Sequence, residues 1–544
     1  MNEYDVIVVG GGVAGLIAGL RHACSGCRTV ILESDTEPGG CVRLHTVGGL
    51  QLDRGAESFA TARPAVAGLV AELGLAVQRP AGGPAWVYHA GGQAPIPAAT
   101  LLGIPAHPTA ADVRRVIGWA GAARAELDRV LPRRSLRRAL SGGLPPSLGA
   151  LVRRRMGRRV LTRLVQPVAG GVYSADPSEL DIAAVAPGLA TQLAAGRTLT
   201  GAVAAIRGRG PAAGSAVSGI VGGMGLLSGA LAERFLAAGG TLRCGTRAQS
   251  LLRTDRGWRV TATTDEDTAT VSGDGDSDGD GEGTGGAAGG FGAPRATGGE
   301  TAAAPRRTAE EFTAAAVVLA VPGAVAAPLI AGATGGAAEL PVAPASRVRL
   351  VTLVLDAPEL DAAPRGSGLL VAPGVTDVAA KALTHATAKW QWLADRAGPH
   401  RHVLRLSYGR GATSAPGGTD DAAAGTDVAR DPDAAAGTDA AADTDRAVVD
   451  LALRDASRML GVPLTRRDLS AHAIVDFAGQ LAAGRAAQAA DRARFQRQIA
   501  AVDGLSVVGS AVAGTGLSAV VANATGAPLV GPGRKRAGSK HDES

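Results

Sequence analysis

A glycine-rich hexapeptide near the N-terminus has the residue types and the spacing that bind a dinucleotide. It follows the apolar segment Tyr4–Val9 and consists of Gly10, Gly11, Gly12, Val13, Ala14 and Gly15. In the pattern G-x-G-x-x-G, the first glycine permits a tight turn, the second lets a pyrophosphate approach the backbone, and the third lets a helix pack against the sheet. The N-terminus of that helix offers free N–H groups and a partial positive charge to the phosphates.

The elements that must position this motif strengthen the interpretation, because the hexapeptide alone is a weak signal in a chain with 78 glycines. A helix is predicted over 14–24 and a second strand over 29–33, so the motif lies in a βαβ unit. The second strand ends in Glu33, which is placed to accept hydrogen bonds from an adenosine ribose, with Ser34 beside it. The unit predicts an α/β dinucleotide-binding domain of the Rossmann type, but it does not distinguish FAD from NAD.

Other kinds of reactive site are not indicated. The sequence has no Ser-His-Asp set, no metal-ligand spacing and no acid–base pair, so we assign no catalytic residue and no metal site. Four cysteines in 544 residues do not make a disulfide framework. Cys24 and Cys27 form a C-x-x-C near the end of the first helix, where packing of two small residues and a redox role are both open.

The net charge of +6 includes two arginine-rich stretches, Arg133–Arg138 and Arg153–Arg159. A solvated helix face is the simple interpretation, and attraction of acidic substrates, anionic lipid or a partner is the alternative. Nucleic-acid binding is not expected, because no recognition module accompanies the charge. No apolar run reaches the roughly 20 residues of a membrane-spanning helix. Since the first strand also begins too early for a secretory signal, we expect a cytoplasmic protein, with peripheral association at a membrane left open.

Further segments carry a resemblance to a known superfamily. One runs from Pro38 to Arg43 (Pro-Gly-Gly-Cys-Val-Arg), one from Asp53 to Phe59, and one is the glycine-rich turn after a strand predicted at 505–510. They are similar to the loops that cover FAD in the flavin amine oxidase superfamily. The resemblance implies that FAD is the cofactor. Besides the hexapeptide, Glu33 and Ser34, it implies cofactor contacts at Gly40, Cys41, Arg43, Gly55, Ala56, Glu57, Ser58, Ala248, Thr515, Gly516 and Leu517.

Three internal segments narrow the resemblance. They run from Pro167 to Leu180, with the phrase Gly-Gly-Val-Tyr-x-x-Asp-Pro, from Gly222 to Leu226, and from Ala379 to His385. They are similar to the coproporphyrinogen III and protoporphyrinogen IX oxidases, FAD enzymes of late haem synthesis, and closest to the soluble type of Gram-positive and actinobacterial cells. The sequence departs from this pattern at Cys41, where a basic residue is usual, and over 474–485, where the usual aromatic residues and histidine are missing.

The resemblance implies three domains, two of them assembled from separate segments. The Rossmann-type FAD-binding domain comprises residues 1–75, 215–264, 311–335 and 501–530. A β-rich substrate domain comprises 76–106, 340–410 and 447–500, and a helical domain comprises 107–205. The composition of 265–310 and 411–446 (Gly, Asp, Thr and Ala) predicts two disordered insertions, and residues 531–544 predict a flexible tail.

The implied activity is oxidation of coproporphyrinogen III to coproporphyrin III in haem biosynthesis, with molecular oxygen as the electron acceptor and hydrogen peroxide as the product. The cofactor carries the redox chemistry. Because aromatisation of the macrocycle drives the reaction, a dedicated protein base is not expected, and participation of one stays open. The substrate has four propionates, and a cleft for it needs cations at an apolar rim. Candidates for these contacts are Arg43, Lys381, His385 and Lys389, and Tyr173 is a candidate to line the cavity.

Three alternatives stay open. The substrate could be protoporphyrinogen IX, in which two vinyl groups replace two propionates. The chain could be another FAD oxidase or desaturase, although the Gly-Gly-Val-Tyr segment and the segment ending at His385 argue against this. It could also be a non-catalytic flavin- or porphyrin-binding protein. A transient contact with the next enzyme of haem synthesis is compatible with each porphyrin interpretation.

Overall fold

The computed structural model describes residues 2–61, 63–81, 83–132, 146–173, 176–207, 217–265, 270–272, 307–342, 347–409, 439–478, 489–514 and 516–530. Its strands are β1 (Asn2–Val9), β2 (Thr29–Leu32), β3 (Leu44–Val47), β4 (Leu50–Asp53), β5 (Phe59–Ala60), β6 (Val77–Gln78), β7 (Trp86–His89), β8 (Gly92–Pro95), β9 (Thr100–Leu101), β10 (Ile104–Pro105), β11 (Val217–Ile220), β12 (Thr241–Arg243), β13 (Thr246–Thr254), β14 (Gly257–Asp265), β15 (Thr270–Ser272), β16 (Arg307–Leu319), β17 (Arg347–Asp356), β18 (Gly368–Val371), β19 (Ala382–His385), β20 (Arg401–Tyr408), β21 (Leu469–Ala478) and β22 (Leu505–Val507).

The helices are α1 (Val13–Cys24), α2 (Pro64–Glu72), α3 (Ala111–Glu126), α4 (Leu148–Met156), α5 (Arg158–Val160), α6 (Gln166–Tyr173), α7 (Ile182–Val185), α8 (Pro187–Ala194), α9 (Leu199–Arg207), α10 (Leu226–Ala237), α11 (Gly323–Thr334), α12 (Ala386–Lys389), α13 (Gln391–Ala397), α14 (Asp439–Leu460), α15 (Ala489–Ala500), α16 (Ser510–Ala513) and α17 (Leu517–Gly526). A π-helical turn at Leu161–Val165 joins α5 to α6. Within the described ranges, no helix has the length and apolar character to cross a membrane.

The first sheet is built around β1. Val6, Ile7 and Val8 are fully buried, as expected for a parallel strand covered on both faces. β1 pairs in parallel with β2 on one side and with β16 on the other, and β22 pairs in parallel with the end of β16. The strand order is β13-β14-β16-β1-β2-β12-β15. The predicted Rossmann-type α/β domain, assembled from distant segments, is therefore confirmed.

Helices cover both faces of this sheet. On one face α1 and α10 pack together through Leu16, Leu231 and Phe235. On the other face Phe495 of α15 is buried with Trp258 and the strand residue Leu505. The sequence analysis placed α15 in the substrate domain, within 447–500. The structure instead packs it into the core of the first domain, because its apolar residues face β22 and the β14 hairpin.

The second sheet has the strand order β21-β17-β20-β19-β18-β7-β8. Helix α14 covers one face, where Met459 packs with Leu353 and Leu404. The other face packs against the cofactor domain through Val403 and Trp390. This β-rich second domain was expected from the sequence.

The residues just before β19 are held by a side chain. β19 begins at Ala382. The backbone N–H groups of Ala379 and Ala380 donate to the carboxylate of Asp455 in α14. A side-chain acceptor on a distant helix therefore takes the place of a strand partner.

The two predicted insertions are shorter at their C-terminal ends than expected. β16 begins at Arg307, where it pairs with Asp265 of β14, and α14 begins at Asp439. Within the first insertion, β15 adds to the sheet edge beside β12. The remaining predicted disorder, at 266–269, 273–306 and 411–438, and the predicted tail at 531–544 lie outside the described residues.

The helical region contains a buried ion pair where a solvated face was expected. Arg155 is 3% exposed, and its Nε donates to Asp128 Oδ1 at 2.6 Å. Asp128 Oδ2 accepts hydrogen bonds from the backbone and the hydroxyl of Thr200, at 2.8 and 2.9 Å. Arg155 also donates from Nη1 to the carbonyls of Leu131 and Pro132, at 3.4 and 3.1 Å. The simple interpretation of this arginine run is therefore wrong at Arg155. The run Arg133–Arg138 lies outside the described residues.

Candidate functional site

The turn between β1 and α1 contains two glycines that packing requires and one that packing leaves free. Gly10 has a φ of +102°, and a Cβ there would lie 2.8 Å from Val321. A Cβ at Gly15 would lie 1.8 Å from the carbonyl oxygen of Gly10, whereas a Cβ at Gly12 would meet nothing within 4 Å. The free space beside Gly12 lies at the N-terminus of α1, which no side chain caps. This geometry fits the roles that the motif predicts for its three glycines.

Glu33 fixes this turn from the end of β2. Its Oε2 accepts the N–H of Gly11 at 2.6 Å, and its Oε1 accepts the N–H of Asp35 at 2.8 Å and the hydroxyl of Ser34 at 3.3 Å. Burial raises the pKa of Glu33, although these hydrogen bonds oppose the change. Each carboxylate oxygen can accept more than one hydrogen bond, so Glu33 retains acceptor capacity for a ligand hydroxyl.

A second loop closes over Gly12. The N–H of Gly39 donates to the carbonyl of Gly11 at 2.8 Å, and a Cβ placed at Gly40 would lie 3.6 Å from the Cα of Gly12. Cys41 follows with an exposed thiol. We call the space bounded by Gly12, Gly40 and the N-terminus of α1 the cradle. Its walls are backbone rather than side chains, which suits the approach of a pyrophosphate.

The segment from Arg54 to Ser58 lies against this second loop. The N–H of Ala56 donates to the carbonyl of Cys41 at 2.9 Å. Position 55 must be glycine, because a Cβ there would lie 2.1 Å from the same carbonyl oxygen. The structure therefore brings the predicted residues Gly40, Cys41, Gly55 and Ala56 together.

The C-terminal strand and helix return to the same turn. Gly509 follows β22, and its N–H donates to the side chain of Asn523 in α17 at 2.9 Å. A Cβ at Gly509 would lie 2.9 Å from the Cβ of Ala14, so this segment contacts the first turn of α1. In the first turn of α17, after Gly516 and Leu517, the hydroxyl of Ser518 is buried without a hydrogen-bond partner among the described residues. Thr515 lies outside the described residues.

Two predicted cofactor residues lie near Glu33. Ala248 is in β13, two residues after Thr246, whose N–H donates to the carbonyl of Glu33 at 2.7 Å. Arg43 pairs with Asp35 at 3.1 Å, and Arg54 reaches the same carboxylate at 3.5 Å. Because it forms an ion pair with Asp35, Arg43 lies at the Glu33 end of the site. The structure does not place it at the rim of a substrate cleft.

Glu57 connects the cofactor domain to the second sheet. Lys389 Nζ donates to Glu57 Oε1 in a buried ion pair, and Arg405 Nη1 lies 3.7 Å from Oε2. Burial acts to raise the pKa of Glu57, but the charges of Lys389 and Arg405 outweigh it, so the pKa is lowered. The predicted cofactor residue Glu57 and the predicted substrate residue Lys389 are therefore neighbours.

The segment Gly222–Leu226 packs against the β3–β4 hairpin, where Asp53 binds its backbone and Leu44 requires glycine at position 225. The Oδ1 of Asp53 accepts the N–H of Gly225 at 3.0 Å. A Cβ at Gly225 would lie 2.5 Å from the backbone nitrogen of Leu44, so no larger residue fits. Burial raises the pKa of Asp53 to about 6. This segment therefore holds the β3–β4 hairpin against α10.

His385 faces away from this junction. Its Nε2 lies 3.1 Å from His402 Nδ1, and His402 Nε2 lies 3.0 Å from Asp361. The preceding residue, Thr384, hydrogen-bonds to Glu57, so alternation along β19 turns His385 to the opposite face of the sheet. Burial lowers the pKa of His385 to about 3. His385 is therefore uncharged at neutral pH and is separated from Lys389.

The remaining predicted substrate residues are less informative. Lys381 is 7% exposed and lies just before β19, where its N–H donates to the carbonyl of Ser407. Tyr173 ends α6, but its side chain lies outside the described residues. A Cβ at Gly171 would lie 2.6 Å from Leu370 of β18, whereas a Cβ at Gly170 would meet nothing within 4 Å. Gly171 therefore serves helix–sheet packing, and Gly170 faces open space.

Sequence reasoning missed Arg405 and Asp361. Arg405 is a cation between two leucines, Leu404 and Leu406, in β20, and that contrast was the available signal. Asp361 lies in a loop, and nothing in the sequence pairs it with His402.

The fold and the cradle resemble those of the flavin-containing amine oxidoreductase class. The family profile described as "Flavin containing amine oxidoreductase" matches residues 13–277. A crystal structure from Exiguobacterium sp. 255-15, provisionally assigned as a protoporphyrinogen oxidase, superposes with a TM-score of 0.69 at 20% identity, covering 96% of this chain and 97% of that one. At this identity the likeness establishes the fold.

Similar sequences define the family more narrowly. Coproporphyrinogen III oxidase of Mycobacterium bovis is 31% identical over 420 residues, which cover 75% of this chain and 77% of the relative. The enzyme of the same name from Propionibacterium freudenreichii is 34% identical over 194 residues, and this match spans about a third of that relative, 35% of each chain. The chain belongs to the coproporphyrinogen III oxidase family. The resemblance inferred from the sequence is thereby confirmed.

Proposed function

We propose that this protein oxidises coproporphyrinogen III to coproporphyrin III in porphyrin biosynthesis, using FAD and molecular oxygen. The observation that carries the proposal is the similarity to the mycobacterial coproporphyrinogen III oxidase across three quarters of both chains. The reaction removes six hydrogens from the porphyrinogen, as repeated two-electron steps, and three oxygen molecules become three molecules of hydrogen peroxide.

The described residues fit FAD. The open space at Gly12 and the uncapped N-terminus of α1 suit a pyrophosphate, and Glu33 offers acceptors to a ribose. The unpartnered hydroxyl of Ser518 offers a further polar contact near the first turn of α1, since buried polar groups are normally hydrogen-bonded. When bound, FAD supplies the acceptor for hydride from a methylene bridge and returns electrons to oxygen. The residues proposed to hold it are the predicted set from Gly10 to Ser58, with Ala248 and Gly516–Leu517.

The chain's own contribution is to bind the macrocycle and exclude water. We place the substrate beside the sheet face that carries Leu370 and Thr384, where Gly170 leaves space next to α6. Of the four predicted cations, Lys389 lies at the junction between this face and the cofactor domain. Arg43 lies at the Asp35 end of the site and His385 is on the other face, as is Lys381 four residues before it, so Lys389 remains the candidate for a propionate contact.

The test uses the full chain reconstituted with FAD. Coproporphyrinogen III and protoporphyrinogen IX are added separately under air, and porphyrin fluorescence and peroxide are followed against protein-free autoxidation. We expect coproporphyrin to form faster than its autoxidation rate, with peroxide in the stoichiometric ratio, and no reaction without oxygen. If protoporphyrinogen IX were oxidised faster than coproporphyrinogen III, protoporphyrinogen IX would be the substrate instead. Bound flavin with neither porphyrinogen oxidised would overturn the activity and favour a non-catalytic binding protein.

A further inference from the structure

Arg405 is the residue that joins the second sheet to the backbone of the cofactor loop. It lies in β20, is 9% exposed, and donates from Nη2 to the carbonyl oxygens of Arg54, at 3.1 Å, and Gly55. Its Nη1 lies 3.7 Å from the carboxylate of Glu57. One guanidinium therefore contacts three residues of the segment 54–57, with Nη2 at the two carbonyls and Nη1 beside the carboxylate of Glu57.

The segment that Arg405 holds is continuous with the cradle. Gly55 packs against the carbonyl of Cys41, and Ala56 donates to that carbonyl. Cys41 is adjacent to Gly40, which lies over Gly12. A displacement of the 54–57 backbone would therefore move the loop that closes the cradle. The apolar side chains of Leu393 and Val403 line the same pocket as Arg405. Apolar surroundings strengthen the hydrogen bonds of the guanidinium.

We infer that Arg405 is a positioning residue for the flavin: it holds the 54–57 backbone in place before the cofactor binds and thereby sets the affinity for FAD. The inference rests on the proposed function only in that FAD is the cofactor. It assigns Arg405 no contact with the substrate or with the reacting atoms. The neighbouring Lys389 forms an ion pair with Glu57, but its side chain contacts no backbone carbonyl among the described residues. Lys389 therefore neutralises Glu57, whereas Arg405 also binds the backbone of 54–57.

The test compares Arg405→Lys and Arg405→Met with a matched control, Arg349→Gln. Arg349 lies on the neighbouring strand β17 and forms two 2.8 Å hydrogen bonds with Asp476, but this pair is exposed and joins β17 to β21 rather than to the cradle loop. The dissociation constant for FAD is measured by titration of the apoprotein, and the visible circular dichroism of the bound flavin reports its surroundings. Lysine keeps a positive charge but has a single nitrogen, which cannot take the position of Nη2 at the two carbonyls and that of Nη1 beside Glu57 at once.

We expect both Arg405 variants to bind FAD about tenfold more weakly or worse, with an altered flavin spectrum, while Arg349→Gln changes neither. An Arg405→Lys protein with native FAD affinity and a native spectrum would overturn the inference. If the variants do not fold, hydrogen exchange is measured on the unaltered chain. The amides of Arg54 and Ala56, which donate to the carbonyls of Arg43 and Cys41, should be protected in the apoprotein, and free exchange of both would overturn the inference. Neither readout uses a porphyrinogen, so failure of the proposed reaction remains distinguishable.

Discussion

Gly15 packs so tightly against the carbonyl oxygen of Gly10 that a Cβ at position 15 would lie 1.8 Å from it. Three residues earlier, a Cβ at position 12 would have no neighbour within 4 Å. The two glycines of one motif are therefore needed for different reasons. Gly15 is required by the fold, and the protein itself does not require Gly12 to be glycine.

The first prediction concerns Gly12. Gly12→Val should fold with nearly native stability, because the added side chain enters open space, but it should lose FAD because it fills the approach to the helix N-terminus. Flavin absorbance after desalting and chemical unfolding of the apoprotein measure the two effects. Gly15→Ala is the contrasting variant, and it should lose about 1–3 kcal/mol of stability or more through overpacking. A yellow, FAD-loaded Gly12→Val protein would contradict the site.

The second prediction concerns pH and Asp53. Burial raises its pKa to about 6 from the usual 3.8, so the folded protein holds a proton that the unfolded chain releases between these values. Stability should therefore fall as the pH rises through this window, by at most about 3 kcal/mol. Asp53→Asn cannot ionise, and its amide oxygen can still accept from Gly225. The free energy of unfolding of the variant should therefore rise relative to that of the native protein between about pH 4 and pH 6, as measured by urea unfolding at each pH. A constant difference across that range would refute the proposed burial cost.

The turn between β1 and α1 was predictable because its signals are local. A strand, a glycine turn and a helix follow one another within 24 residues, and each glycine has a separate steric or approach role. The return of the C-terminal segment to this turn was predicted from the resemblance alone. The sequence does not specify that β22 pairs with β16, because the two strands are far apart in the chain.

The substrate half was less predictable, because its contacts depend on which face of a strand a residue occupies. His385 and Lys389 are four residues apart and looked equivalent as cations. The structure separates them, since β19 ends at His385 and a short helix carries Lys389 back to Glu57. The error at Arg155 has a related cause: its partner Asp128 is 27 residues away, so the sequence alone does not show that the two side chains meet.

The third prediction concerns that buried ion pair. Asp128→Ala should destabilise the protein by about 3–5 kcal/mol, because it leaves Arg155 charged and buried without its partner. Glu126→Gln is the control, since Glu126 pairs with Arg129 at the surface of the same region and should cost less than about 1 kcal/mol. Chemical unfolding measures both variants. Equal effects would mean that burial of the Asp128 pair has no energetic consequence. FAD affinity should be unchanged in both, because neither residue contacts the cradle.

The last prediction separates His385 from Lys389 in function. His385→Gln should leave the KM for coproporphyrinogen within about twofold of native, because the side chain faces α14 and its partner is His402. Lys389→Gln should raise KM or lower kcat, since it removes a cation at the domain junction and leaves Glu57 with Arg405 alone. Steady-state kinetics on FAD-saturated protein measure both, and bound flavin is quantified in parallel to exclude cofactor loss. If His385→Gln raised KM strongly with full flavin content, the histidine would belong to the substrate site, and the assignment of the two sheet faces would have to be reversed.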